Sequence, residues 1–175
     1  MRILALALFS FASLLHAGEP VTRTFYVSGV ECGSCVYAVQ HSVGEIKGVS
    51  DVAVVQVIDS FANVTFDPQV VSEHQIAQAV REAYPLHGVP YLAALKLRLP
   101  DYAKHAAKAD VVMNRWKEWI TVKPVDQVKG VFEVHFLPLK ADEKQAGPQG
   151  WSLAEFSAAL KTSLGLTFAL ETEAL

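Results

Sequence analysis

Apolar and polar residues alternate over residues 22–28 (TRTFYVS), with Phe25 and Val27 on one side, which predicts a strand. A loop follows over 29–35. Val36, Val39, Val43 and Ile46 then recur at helical spacing until Lys47-Gly48, a predicted stop. Residues 49–58 and 61–66 read as two strands around Asp59-Ser60, and Asp67-Pro68 ends the second. Ser72-Glu73-His74-Gln75 has the form of a capping box, opening a helix that carries Ile76, Ala79, Val80 and Ala83. An apolar strand is expected over 91–99. Strand, helix, strand, strand, helix, strand, with both helices on one face of an antiparallel sheet, predicts an α+β sandwich of the ferredoxin-like βαββαβ type.

The second half of the chain echoes the first at an offset of 70 residues. Val64, Phe66 and Pro68 are matched by Val134, Phe136 and Pro138. The Ser72 helix start is matched by Ser152, with Glu155, Phe156, Ala159, Leu160 and Lys161 in step behind it. A polar insertion over 140–150 separates the matched pieces, and residues 166–171 supply a closing strand. The first strand of this second unit is expected near 93–99. Its first helix is expected over 101–120, spaced by Ala109, Val112, Trp116 and Trp119. The division is thus 18–92 and 93–175, two tandem ferredoxin-like units. The second is degenerate: Tyr102 and His105 stand where the first has Cys32 and Cys35. Residues 85–98 must serve both the last strand of one unit and the first strand of the next, so one strand is very short or the sheets share it. Trp116, Trp119 and Trp151 are expected in core and interdomain packing.

At the N-terminus, Arg2 precedes a short apolar run and small residues up to Ala17, the pattern of a cleavable signal peptide over 1–17. The run is shorter than the roughly 20 residues a bilayer span takes. The expectation is a periplasmic or secreted protein whose mature chain does not span a membrane. A net charge of −3 gives no electrostatic reason to expect nucleic acid. Two cysteines exclude a disulfide-stapled scaffold and a four-cysteine zinc site. With no H-E-x-x-H, G-x-S-x-G or phosphate-binding glycine loop, a non-enzymatic role is expected.

The two cysteines, three positions apart, therefore carry the candidate chemistry. Cys32 falls on the loop and Cys35 in the first helical turn, where free N–H groups and the helix dipole favour anions. That setting lowers thiol pKa values, and thiolates are soft ligands that suit Cu(I). By spacing alone the pair reads equally as a metal clamp, a redox pair or a small structural disulfide.

Four stretches resemble the heavy-metal-associated domain family: Gly29-Val30-Glu31-Cys32-Gly33-Ser34-Cys35, similar to the family loop G-M-T-C-x-x-C; Gly48-Val49-Ser50-Asp51-Val52; Val64-Thr65-Phe66-Asp67-Pro68; and the helix from Ile76 to Tyr84. The resemblance spans about Arg23 to Tyr91. It implies the ferredoxin-like fold and a metal site at Cys32 and Cys35, with Cu(I) preferred over Hg(II) and Zn(II). The partners it implies are a metal-transporting membrane protein or another chaperone. Three positions depart from the family. Val30 replaces the loop Met, whose side chain packs beneath the site. Glu31 replaces Thr and sets a negative charge beside the thiolates, and Ala83 replaces a Gly. The family's fold lays the loop after the second helix beside the cysteines. His87 is therefore a candidate auxiliary ligand, with Tyr84 as a cover, while His41 and His74 are expected at the surface. The alternatives are a thiol–disulfide redox protein and an interaction module with a structural disulfide.

Overall fold

The computed structural model describes residues 18–57, 60–142 and 145–173; the expected signal segment 1–17 lies outside them. The element order is β1 (Val21–Ser28), α1 (Gly33–Gly44), β2 (Val49–Val55), β3 (Phe61–Phe66), α2 (Glu73–Glu82), β4 (Leu92–Arg98), α3 (Tyr102–Met113), β5 (Ile120–Asp126), β6 (Val131–Phe136), α4 (Leu153–Leu164) and β7 (Ala169–Leu170). A 3₁₀ turn, Asn114–Trp116, continues α3. Among the described residues no helix is long and apolar enough to cross a membrane.

All seven strands join one sheet in the order β2-β3-β1-β4-β6-β5, with β7 also on β4. The first half has the ferredoxin-like order β2-β3-β1-β4. The second half repeats it as β5-β6-β4-β7. A single strand, β4, closes one set and opens the other. Its start pairs with β1 (Val27↔Ala93) and its remainder with β6 (Leu95↔Val134). Where β1 leaves the β4 edge, β7 takes its place (Leu97↔Leu170). The 14 residues that looked too few for two strands are sufficient because one strand does both jobs.

The period of two sets the core. Phe25, Val27, Ala62, Val64, Phe66, Ala93, Leu95, Leu97, Phe132, Val134 and Phe136 point to the same side of the sheet. They merge with Val39, Val43, Ile76, Val80, Ala109, Val112, Phe156 and Leu160 of the helices into one continuous apolar cluster. The Ser72–Gln75 capping box forms in full.

Four expectations are corrected. The helix expected over 101–120 stops at Met113, and β5 begins at Ile120. Ile120 and Val122 point inward while Pro124 sits on this edge strand, where its missing N–H is tolerated. The apolar spacing through Trp116 and Trp119 imitated a longer helix. Trp119 is 40% exposed, Trp116 lies edge-on to Phe156, and Trp151 is the fully buried one. The closing strand shrinks from six residues to two. His74, expected at the surface, is 1% exposed. Its Nε2 donates to Leu137 O at 2.7 Å and its Nδ1 accepts from Trp151 N at 3.2 Å, so the second half covers it.

Candidate metal centre

β1 ends at Ser28, and Gly29 turns the chain at φ +88°, a region open to glycine. A Cβ there would also meet Tyr91 Cδ1 at 3.3 Å, tighter than ordinary contact. Val30 is 7% exposed and packs under the loop, whereas Glu31 faces solvent. The β2–β3 connection holds the loop from one side: Gln56 Nε2 donates to Glu31 O at 2.7 Å, and Ser60 Oγ donates to Val30 O at 3.3 Å.

Cys32 is the N-cap of α1. Its Sγ accepts from Cys35 N at 3.3 Å, and its carbonyl accepts from Cys35 N and Val36 N at 3.0 and 3.1 Å. A sulfur takes the capping place that Ser or Asp usually holds, so it sits at the positive end of the helix dipole. Both cysteines are free, and their Sγ atoms lie 2.8 Å apart. Cys32 is half-buried. Cys35 has no exposed surface.

Burial pushes the Cys35 thiol up, but hydrogen bonds outweigh it. The Cys32 thiol, the Tyr91 hydroxyl and backbone groups at Glu31 and Cys32 bring its pKa from 9.0 to about 6. At neutral pH Cys35 is thus a thiolate held by donors. Burial, and after it the Cys35 thiolate, raise the Tyr91 phenol above its usual range, so it stays protonated and able to donate.

The loop after α2 completes the site. One ligand atom each from Cys32, Cys35 and His87 lies within 4.8 Å of the others. The structure therefore brings all three sequence-derived candidates together. Tyr84 does not cover them: it is 75% exposed. The covering aromatic is Tyr91, 1% exposed, whose hydroxyl also accepts from Leu86 N at 3.4 Å. Sequence reasoning assigned Tyr91 to a strand, and its contact with Cys35 had no local signal. The expectation of surface histidines holds for His41, which is exposed beside Glu45.

Three donors of this kind, two sulfurs and an imidazole, suit a soft or borderline ion. Tyr102 and His105, the second-half counterparts of the cysteines, make no such group. Tyr102 is buried and its hydroxyl donates to Asp110 Oδ1 at 2.9 Å.

The profile of the heavy-metal-associated domain matches residues 24–85. The copper chaperone CopZ of Bacillus subtilis (strain 168) is 42% identical over 60 residues, which are 34% of this chain and 86% of that protein. The copper-transporting ATPase HMA5 of Oryza sativa subsp. japonica is 34% identical over 64 residues, 37% of this chain and only 6% of the ATPase. Among solved structures, the water-soluble region of the P-type ATPase CopA from Bacillus subtilis is 19% identical, covering 88% of this chain and 93% of that one at a TM-score of 0.40.

Proposed function

This chain belongs to the heavy-metal-associated domain family, and we propose that it is an exported, non-enzymatic carrier that binds one soft metal ion, Cu(I) in preference to Hg(II) or Zn(II), at Cys32 and Cys35. The observation that carries this reading is the pair of sulfurs 2.8 Å apart at the start of α1, one of them with its pKa brought to about 6. Similarity to a copper chaperone over 86% of that protein's length supports copper as the cargo. Zn(II) would need a further donor beyond the two thiolates and His87 to fill its tetrahedron. The ion enters and leaves by ligand exchange, and the unequal burial of the two sulfurs supports an order for it. Cys32 lies at the open edge and is the sulfur that an incoming thiolate of a partner displaces first. Cys35, buried and held by Tyr91, is displaced last. The recipient is a metal-transporting membrane protein or another chaperone carrying thiolates of its own.

The test is an anaerobic Cu(I) titration of the reduced chain against a competing chelator, with Cys32→Ser/Cys35→Ser alongside. One tightly held ion, lost in the double variant, is expected. Equal binding by both proteins would overturn the reading and leave thiol–disulfide exchange as the use of the pair.

A further inference from the structure

The loop that carries His87 is short of support of its own. Residues 84–90 are all exposed, between Ala83 at 2% and Tyr91 at 1% exposure. Inside it stand only a Gly88 N to Pro85 O bond of 3.2 Å and the Leu86 N to Tyr91 hydroxyl bond. Where His87 sits is therefore decided by the two ends, which are the C-terminus of α2 and the start of β4. Both ends belong to elements that the second half holds together with the first: Leu92 and Ala93 at the start of β4 pair with β1, and Ala79 O of α2 accepts from Ser42 Oγ of α1 at 2.8 Å.

The grip on α2 runs along its whole length. At the first turn, Ser72 Oγ donates to Gln149 O, and Gln75 Oε1 accepts from Gln149 N at 3.0 Å. Glu73 Oε2 accepts from Leu153 N at 3.1 Å, and His74 is bonded to both Leu137 and Trp151. In the middle, Gln78 Oε1 accepts from Leu139 N at 2.9 Å. In the last turn, three positions before the loop begins at Tyr84, Arg81 Nη2 donates to Phe136 O at 2.8 Å. β4 is fixed in its turn by pairing with β6 from Ala94 to Arg98. The cysteine loop, by contrast, hangs on β1, α1 and the β2–β3 connection, all of the first half.

We infer that the thiol-free second half is a brace for the metal centre: by fixing α2 and β4 it presents His87 to the two sulfurs as a third ligand. The inference rests on the metal reading above and gives the second half a part in it. Binding two sulfurs alone leaves an ion open to exchange, whereas a pre-placed imidazole adds a bond without the entropy of ordering a free loop. The braced site is built for retention as much as for passage. Arg81 is the positioning residue closest to the loop.

The experiment is a double-mutant cycle on the full chain. Cu(I) affinity is measured anaerobically by chelator competition for the parent, Arg81→Ala, His87→Ala and the double variant, with Cys32→Ser/Cys35→Ser as the reference for loss of the sulfurs. His87→Ala is expected to weaken binding about tenfold, at the lower end of the effects of altered ligand support. Arg81→Ala is expected to weaken it several-fold when His87 is present and not at all when it is absent. X-ray absorption on the Cu(I)-loaded protein should show a nitrogen neighbour in the parent that is reduced in Arg81→Ala and gone in His87→Ala. Gln78→Ala, through its bond to Leu139, repeats the cycle should Arg81→Ala unfold. An unchanged affinity and metal spectrum in His87→Ala overturns the brace while leaving the thiolate site standing. So does an Arg81 effect that is the same with and without His87. Binding that survives loss of both cysteines overturns the metal reading itself.

Discussion

Two helix starts in this molecule occupy the same place in the same topology, and only one of them has chemistry. At the start of α1 a glycine at positive φ turns the chain, and Cys32 caps the helix with its sulfur. At the start of α3 the turn is made by Asp101 at φ 59° without a side-chain cap bond, and Tyr102 is folded inward against Phe132. Nothing in the sheet demands this difference, since β1 and β4 are equivalent strands of the two sets. The fold offers a helix N-terminus at each position, and the loop residues decide whether it becomes a ligand site. A cleft of about 400 Å³, lined by Tyr102, Asp110, Asn114, Lys117 and Thr121, lies where α3 stands off β5, whereas α1 packs closely on β2. The second half has no thiol at that place, and its Trp151, Phe156 and Leu160 join the core shared with the first.

The comparison is broken most severely at Trp151, which is fully buried in the second half. Trp151→Ala should cost about 3–5 kcal/mol. Because β4 is common to both sets, the loss should be felt on both sides. All three tryptophans lie in the second half and both cysteines in the first, which supplies two separate reporters. Tryptophan fluorescence and the protection of Cys35 from alkylation should fall in one shared transition, at a lower temperature than in the parent. If Cys35 stays protected after the fluorescence has changed, the halves are independent.

A smaller effect is expected at the first helix start. Tyr91→Phe removes a donor from the Cys35 thiolate, so its pKa should climb from about 6 back toward 9.0. Thiolate absorbance followed against pH measures this directly. Cu(I) binding near pH 6 should weaken accordingly, because more of the thiol must then lose a proton to bind.

The smallest effect is the pH dependence of the contact between the halves, where two adjacent residues of α2 pull in opposite directions. Burial holds the His74 pKa below 6.5, so the folded state prefers the neutral ring. Its contribution to stability is present above pH 6.5 and is lost as the pH falls below that value. Burial raises the Glu73 pKa above 4.5, so ionisation is a penalty on the fold that acidification relieves. Urea midpoints of the parent should therefore fall below pH 6.5 and recover in part as Glu73 takes up its proton. Glu73→Gln should leave the fall and remove the recovery.

Much of this molecule is written locally. The alternation of Phe25 and Val27, the Ser72–Gln75 box and the repeat of Val64, Phe66 and Pro68 place β1, α2, β3 and β6 within a residue or two. The cysteine spacing at the head of a helix marks the candidate site, because capping and thiolate chemistry both depend on neighbours a few positions apart. Long-range partners left no such signal. That β4 would pair with β1 on one edge and β6 on the other depends on which edges are free once both sets have formed. His74 looks like a surface histidine on its helix until residues 137 and 151 close over it. Tyr84 is the cover the sequence suggests, yet it stays in the exposed loop, while Tyr91, just before β4, is buried against Cys35. Periodicity and spacing report what a residue's near neighbours are. Which surface it is buried against is decided when segments from 60 to 80 residues away arrive, and the tertiary structure alone records that.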